Sequence, residues 1–213
     1  MLLTEFDANR QAIINPEDLN EPLEGFPKIA VSCFSRSTFQ RMLEMFPHEL
    51  IYETSMANVA IPIYKLVIDD NELAIFNAPV GASACVGILE DIFVLGADKL
   101  VLFGTCGVLD EDIKETSIII PSHALRDEGT SFHYVEASDE IAVNVGVLDH
   151  FRSYLNERQI SHKEGKVWTT DGIYRETNGK LKARKAAGAI CVDMECSAVA
   201  ALAKFRGVDI CHF

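Results

Sequence analysis

The sequence predicts an α/β fold, a three-layer sandwich with a central mixed, largely parallel sheet. Short apolar runs that are typical of buried strands alternate with segments in which apolar residues recur at helical spacing. Three of these runs lead directly into a turn or a helix, at residues 28–34, 99–109 and 189–192. Because no linker of different composition interrupts the alternation, we expect residues 1–213 to form a single domain.

In the first half of the chain, the apolar pattern predicts three strands and two helices. The predicted elements are a strand over 28–34, a helix over 36–46 capped by Ser35, strands over 59–68 and 72–80, and a helix introduced by Gly81 and Ser83. The run Asp69-Asp70-Asn71 lies between the second and third strands, and it predicts a hairpin turn.

In the second half, predicted strands again alternate with helices. In order, they are a strand over 99–109 that ends in a Gly-Thr-Cys-Gly turn, a strand over 116–121, a polar loop over 122–139, a helix over 143–157, and strands over 163–170 and 189–192. The last predicted helix starts near Met194, and Gly207 closes it.

The composition favours a compact protein with a large core. Of 213 residues, 48% are apolar, which is enough for a large core. A net charge of −13 argues against a surface for nucleic acid or for an anionic membrane. No apolar run is long enough to span a membrane, so we expect neither nucleic acid nor a membrane as a partner.

The cysteines are expected to be reduced thiols inside the protein. They form no CxxC pair and lie mostly in apolar elements, at Cys33, Cys85, Cys106, Cys191, Cys196 and Cys211. The first residues lack the basic start and long apolar run of a signal peptide. We therefore expect a cytoplasmic protein whose cysteines hold neither disulfides nor metal.

Two carboxylates stand where the strand over 189–192 meets the last helix. Asp193 can cap that helix, and Glu195 can interact favourably with its dipole. Alternatively, the two carboxylates accept hydrogen bonds from adjacent hydroxyls of a ligand such as a sugar. In that case Met194 supplies an adaptable apolar wall. The local pattern leaves both interpretations open.

Two motifs together resemble the nucleoside phosphorylase family, of the purine nucleoside and uridine phosphorylase type, which includes related nucleosidases. The first is Asp193-Met194-Glu195 before the small residues CSAVAAL. The second is the segment 169–174, TTDGIY, which is similar to the family segment that passes the base. The resemblance covers most of the chain from Lys28 onward and implies that Asp193, Met194 and Glu195 bind the ribose.

The resemblance also implies a phosphate site. The Gly104-Thr105-Cys106-Gly107 turn matches the family motif whose hydroxyl contacts phosphate, although a plain strand-to-turn junction would look the same. Glycines let backbone N–H groups approach an anion. The family also has a glycine-rich turn at the position of Gly81, and a phosphate loop near Arg36 that can equally be a solvated helix arginine.

One departure concerns phosphate directly. Many phosphorylases carry an arginine two residues before the first glycine of this motif, where this chain has Leu102. The guanidinium would clamp phosphate through two charge-assisted hydrogen bonds. Another arginine could replace it (Arg36, Arg41, Arg126 or one from a neighbouring subunit), or water could take the place of phosphate.

The family places a base-binding segment where this chain has Ile173 and Tyr174. A tyrosine ring would stack on a flat heterocycle, whereas isoleucine offers only apolar contact. Cys106 and Gly107 are the other residues expected near the base. The Gln-x-Arg pair of uridine phosphorylases is not evident in YRETNGK, which favours a purine. Tyr174 can also be an ordinary core or surface aromatic residue.

The catalytic acid is not identified. In the family, the strand that begins here at residue 208 continues to an aspartate that protonates the leaving purine. We expect the protein to continue beyond Phe213, because a strand that stops there would leave part of the core uncovered.

The leading hypothesis is phosphorolysis of a nucleoside to free base and pentose 1-phosphate, a pentosyltransferase reaction of purine salvage. Inorganic phosphate is then a co-substrate, and neither a metal nor an organic cofactor is implied. The resemblance further implies a homo-oligomer built from dimers, such as a hexamer. The alternatives are a nucleosidase of the same fold and a nucleoside-binding protein without catalysis.

Overall fold

The computed structural model describes residues 2–114 and 117–213, which form two compact units. The first unit contains Asn9–Val80 and Ala84–Gly104, and the second contains residues 2–8, Gly81–Ser83 and the residues from Thr105 to the end. Each unit has its own mixed sheet with parallel pairs at its centre. The predicted α/β class with a mixed, largely parallel sheet is confirmed, and the single domain stays a prediction.

The first unit holds eight helices and strands. They are α1 (Pro16–Leu19), β1 (Ile29–Cys33), α2 (Arg36–Met45), β2 (His48–Met56), β3 (Val59–Ile68), β4 (Asn71–Asn77), α3 (Ala82–Leu95, in this unit from Ala84 onward) and β5 (Lys99–Phe103). The strands lie in the order β5-β1-β4-β3-β2. β1 is parallel to both β4 and β5, while β3 is antiparallel to β4 and β2.

Local sequence explains two features of this unit. The hydroxyl of Ser35 accepts the N–H of Thr38 at 3.2 Å, so α2 starts with the predicted cap. Asp69 and Asp70 both have positive φ, 49° and 64°, which is the backbone that a tight hairpin turn needs. β3 and β4 therefore meet as the predicted hairpin, and apolar residues of β1, α2, β3 and β4 form a common core.

Besides short 3₁₀ helices, the described residues of the second unit form ten α-helices and β-strands. They are β6 (Gly107–Val108), β7 (Ile118–Asp127), α4 (Ser131–Tyr134), β8 (Glu140–Ala142), α5 (Leu148–Glu157), β9 (His162–Thr170), α6 (Asn178–Ala186), β10 (Ala189–Asp193), α7 (Cys196–Arg206) and β11 (Asp209–His212). The sheet order is β6-β10-β9-β7-β8. Its three central strands are mutually parallel, and β6 and β8 are antiparallel to their neighbours.

α7 is the buried helix of this unit. Its first seven residues, Cys196 to Leu202, are all buried, since small side chains let the helix approach the sheet closely. Gly207 ends it with φ of +74° and donates its N–H to the carbonyl of Ala203 at 2.8 Å. The prediction that Gly207 closes this helix is confirmed.

Two sequence predictions need correction here. The loop predicted over 122–139 is wrong, because β7 continues to Asp127 between its partners β8 and β9, and α4 follows. The helix predicted over 143–157 begins only at Leu148. Asn144 and Gly146 have positive φ, 56° and 84°, which does not fit a helix. The strand predicted over 116–121 falls partly outside the described residues, and β7 covers its remainder.

In the described part of the chain, we find no helix that is long and apolar enough to cross a membrane.

Candidate functional site

The strand-to-helix junction of the second unit is held by the carboxylate of Asp193, the last residue of β10. Its Oδ1 accepts the hydroxyl of Thr169 at 2.7 Å, across the β9–β10 register. Its Oδ2 accepts the N–H groups of Glu195 and Cys196 at 3.2 and 2.7 Å. Asp193 therefore ties the start of α7 to two strands, which agrees with the capping interpretation of this residue.

Glu195 occupies a different position from Asp193. Its side chain is only 6% exposed, and its Oε1 accepts the N–H of Gly81 at 2.6 Å. Gly81 has φ of +102°, a conformation that favours glycine. The structure thus brings a predicted ribose residue, Glu195, against a predicted phosphate residue, Gly81. In this arrangement the N–H of Gly81 donates to the carboxylate of Glu195.

The pKa values of both carboxyls are raised, to about 6 for Asp193 and about 7 for Glu195. Burial is the main cause, because it disfavours the charged form. For Asp193, the hydrogen bonds from Thr169 and the α7 backbone act in the opposite direction. For Glu195, the N–H of Gly81 opposes the shift and the charge of Asp193 adds to it. Such carboxyls can exchange protons near neutral pH.

The Gly-Thr-Cys-Gly turn reaches the same junction through β6. Gly107 pairs with Val192, next to Asp193, and a Cβ at Gly107 would stand 2.9 Å from Cγ1 of Val192. The side chain of Cys106 packs against the apolar cluster that contains Cys191 on β10. Thr105 is exposed just before them. Two predicted site residues of this turn, Cys106 and Gly107, therefore lie beside β10, and Thr105 directly precedes them.

Three residues of the first unit bear on the phosphate prediction. Gly104 packs on Phe34, since a Cβ there would lie 2.8 Å from the ring. Arg36 is an exposed residue at the start of α2. Leu102 is fully buried in β5. The phosphate roles of Gly104 and Arg36 stay predictions.

Arg126 has a structural role in the second unit. It is 7% exposed, and its Nε donates to the hydroxyl of Ser131 at 2.8 Å. Its terminal nitrogens donate to Glu136, Ser138 and Val135, and the guanidinium lies 4.0 Å from the ring centre of Phe132. A guanidinium committed to so many internal acceptors does not favour the alternative in which Arg126 replaces the missing phosphate clamp.

The predicted base-binding segment lies on the surface of the second unit. Ile173 and Tyr174 are 56% and 93% exposed in a short 3₁₀ helix, Ile173–Arg175. The preceding Asp171 accepts the N–H of Gly129 at 2.9 Å. Met194 is half-buried. The structure does not pack Tyr174 with the other site residues, so its role against a base stays a prediction.

The sequence analysis did not predict a network of buried polar side chains that lies behind the junction. The hydroxyl of Ser197, in the first turn of α7, donates to Glu128 at 2.9 Å, and its N–H donates to Oγ1 of Thr169 at 3.1 Å. The second oxygen of Glu128 accepts the N–H of Ser131 at 2.9 Å. Glu128 is only 5% exposed. In the sequence it stands in a polar segment, where an acid looks like a surface residue.

Among residues 2–114 and 117–213, no three histidine, cysteine or acidic side chains are grouped so that they could hold a metal ion.

A match to a protein family model shows which proteins this chain is related to. The model described as the phosphorylase superfamily matches residues 28–213. The chain belongs to this superfamily. Solved phosphorylases share its fold: a uridine phosphorylase from Vibrio fischeri has a TM-score of 0.80 at 19% identity, covering 95% of this chain and 84% of that one.

Other known proteins are similar to this chain in structure or in sequence. A purine nucleoside phosphorylase from Toxoplasma gondii, solved with immucillin-H, has a TM-score of 0.77 at 19% identity, covering 91% and 79% of the two chains. In sequence, a guanosine phosphorylase from Halorubrum lacusprofundi is 23% identical over 148 residues, 68% of this chain. A DeoD-type purine nucleoside phosphorylase from Brevibacillus brevis is 30% identical over 109 residues, 51% of this chain. The chain spans 61% and 46% of the lengths of these two sequence relatives.

Proposed function

We propose that this member of the phosphorylase superfamily breaks the N-glycosidic bond of a nucleoside by phosphorolysis, giving free base and pentose 1-phosphate. The observation that carries the proposal is Glu195, a buried carboxylate held by the N–H of Gly81 beside Asp193. A carboxylate on a rigid junction can hold the hydroxyls of a sugar in one orientation. The names of the relatives support the same reaction class.

Each residue of the junction then has a distinct task. Oε1 of Glu195 is fixed by Gly81, and we assign its Oε2 to a ribose hydroxyl. Met194, which is half-buried, packs against the sugar. Asp193 has its hydrogen bonds within the protein, so its part in ribose binding is to hold Glu195 and the start of α7 in place.

The proposed reaction transfers the pentose from the base to phosphate. The electron pair of the breaking C–N bond goes to the base, which also takes a proton, and a phosphate oxygen bonds to the anomeric carbon. The sugar gains positive charge as the bond breaks, and the negative charge of Glu195 stabilises it. The hydroxyl of Thr105 is the proposed phosphate donor in this unit. Inorganic phosphate is the co-substrate, and the proposal requires no organic cofactor.

We favour a purine as the base. Two relatives are named as guanosine or purine nucleoside phosphorylases, although a structural neighbour is a uridine phosphorylase. The exposed ring of Tyr174 and the apolar side chain of Ile173 would contact the base, and Cys106 and Gly107 would approach it from β6. The proposal extends to a cytoplasmic homo-oligomer acting in purine salvage, and light scattering would test the oligomer.

Hydrolysis is the second candidate, and one observation favours it. Leu102 is fully buried where many family members carry a phosphate-binding arginine. Without that guanidinium the site loses a bidentate clamp on phosphate, and water could take the place of phosphate.

The deciding experiment measures release of free base from inosine, guanosine, adenosine, uridine and methylthioadenosine, with and without phosphate. We expect release that requires phosphate and is fastest for a purine nucleoside. Equal release without phosphate would establish a nucleosidase instead. Binding without release would leave a nucleoside-binding protein and refute both enzymes.

Variants at Glu195 test the residue that carries the proposal. We expect Glu195→Gln to lower kcat/KM roughly 10- to 100-fold, because a hydrogen bond to a charged group contributes about 1.5–3 kcal/mol. The matched control is Glu44→Gln, which changes an exposed glutamate on α2 in the same way. Wild-type turnover by Glu195→Gln would refute the ribose-binding role.

A further inference from the structure

Two cysteines lie close to each other beside the junction, at neighbouring strands of one sheet. Gly107 and Val108 of β6 pair with Val192 and Cys191 of β10, so Cys106, just before β6, falls on the same face as Cys191. Cys106 packs against one buried apolar cluster that contains both Cys191 and Cys196. The fold therefore holds a pair of thiols together.

The two thiols differ in their access to solvent. Cys106 is partly exposed, in a turn whose neighbours Thr105 and Gly107 are exposed. Cys191 is fully buried, and Cys196 is 1% exposed. Cys106 is therefore the more accessible of the two residues to a small oxidant in solution.

The two thiols also differ in their tendency to ionise. The hydrogen bond from Cys191 lowers the pKa of Cys106, although burial and the charge of Asp193 act against it. The same hydrogen bond and burial raise the pKa of Cys191. The thiolate is the form that attacks peroxides, so Cys106 is the reactive sulfur and Cys191 its protonated neighbour.

We propose that Cys106 is a site of reversible oxidation by hydroperoxides, and that Cys191 converts the oxidised form into an intramolecular disulfide. The sulfur of Cys106 attacks one peroxide oxygen, the O–O bond breaks, and Cys106 becomes a sulfenic acid while water (or an alcohol, from an organic peroxide) leaves. The sulfur of Cys191 then attacks that of Cys106. The S–O bond breaks, and the hydroxyl leaves as water with the proton of Cys191. The two thiols lose two electrons, and the peroxide gains them.

Closing the bond needs a small movement of the turn. A disulfide holds its sulfurs about 2.05 Å apart, closer than a hydrogen bond between thiols. Cys106 lies outside both strands, so the turn can shift without breaking the β9–β10 ladder. The disulfide would fasten the turn that carries Thr105 to β10. An effect on catalysis would rest on the proposed function, whereas the bond itself does not.

The test uses the freshly reduced full chain, treated under native conditions with hydrogen peroxide and then alkylated. Trypsin places Cys106 in the peptide 100–114, and Cys191 and Cys196 together in the peptide 186–204. We expect a cross-linked pair of these peptides, lighter by two hydrogens, whose fragments locate the bond at Cys191. The cross-link should disappear after treatment with a thiol reductant.

Two matched variants show which buried cysteine, Cys191 or Cys196, forms the disulfide with Cys106. Cys191→Ala should abolish the cross-link and leave a sulfenic acid at Cys106 that dimedone traps, whereas Cys196→Ala should leave the cross-link intact. A bond to Cys196, or a Cys106 no more reactive than the partly exposed Cys211, would overturn the proposal. If Cys191→Ala does not fold, the fragment assignment in the wild-type protein decides alone.

Discussion

Glu195 is a buried carboxyl, and its surroundings disfavour the negatively charged form. Burial and the neighbouring Asp193 raise its pKa to about 7, and the N–H of Gly81 offsets only part of this cost. An amide at this position could still accept the same N–H. The fold therefore needs an acceptor oxygen at residue 195, while the negative charge itself lowers stability.

The raised pKa of Glu195 predicts how the free energy of unfolding depends on pH. Because the pKa of Glu195 is raised from 4.5 to about 7, the folded state binds more protons than the unfolded chain in this range. The stabilisation from the protonated form is complete below the unfolded pKa and is lost as pH rises through the folded pKa. The free energy of unfolding of wild type should therefore fall, relative to Glu195→Gln, by on the order of 3 kcal/mol between about pH 4 and about pH 8.

Urea unfolding of both proteins across this pH range measures the difference, and the Glu44→Gln control removes effects of net charge. Parallel profiles for wild type and Glu195→Gln would mean that Glu195 titrates at its ordinary pKa.

Local sequence pattern predicts that site residues lie together only where they are close in sequence. Asp193, Met194 and Glu195 adjoin one another at the end of an apolar run, so their shared location follows from the local pattern. Glu128 and Ser197 are 69 residues apart, and no local pattern links them. Their contact depends on where α7 lies against β7, which is a property of the tertiary structure.

Glu128 should therefore matter for stability more than its polar setting suggests. Removing its carboxylate leaves the hydroxyl of Ser197 and the N–H of Ser131 buried without an acceptor. We expect Glu128→Ala to lower the free energy of unfolding by about 2–4 kcal/mol, and Glu128→Gln to recover part of this loss. Urea unfolding measures both. Equal losses for the two variants would contradict the importance of the acceptor oxygens.

Among the elements, α7 depends on a cap from the strand before it. Asp193 accepts two N–H groups at the start of the helix and also the hydroxyl of Thr169. We expect Asp193→Ala to destabilise the protein by about 1–3 kcal/mol, and Asp193→Asn by less, because an amide oxygen can keep part of the cap.

Hydrogen exchange at the N–H of Cys196 locates the effect, since this N–H loses its acceptor in the Asp193→Ala protein. Exchange that is unchanged in this variant would show that Asp193 is not the cap. Exchange at β3, which lies in the other unit, serves as the internal reference.

The helices and strands differ in how well their sequence predicts them. The hairpin of β3 and β4 and the capped start of α2 follow from turn and cap residues. The start of α5 and the length of β7 were misjudged for different reasons. Asn144 adopts a turn backbone while its side chain donates to the carbonyls of Pro121 and His212, and β7 is extended by pairing with distant strands. Neither cause is visible in a local window.

For the chain as a whole, the net charge of −13 creates a field that repels an approaching anion such as phosphate. Long-range repulsion is screened by salt, whereas binding by local donors is affected less. If the proposed phosphorolysis is correct, raising the ionic strength from about 20 to about 200 mM should lower the KM for phosphate. The KM for the uncharged nucleoside should stay constant. A KM for phosphate that rises with salt would point instead to exposed cations at the phosphate site.

Gly107 and Val192 each limit which side chains the other position can accept. The methyl group of Val192 occupies the space that any side chain at position 107 would need. We expect Gly107→Ala alone to destabilise the protein. The destabilisation should be smaller when Val192→Ala removes the methyl group that occupies this space. The order in which the two changes arise then decides which intermediate survives, so this pair should show strong epistasis in a library of variants.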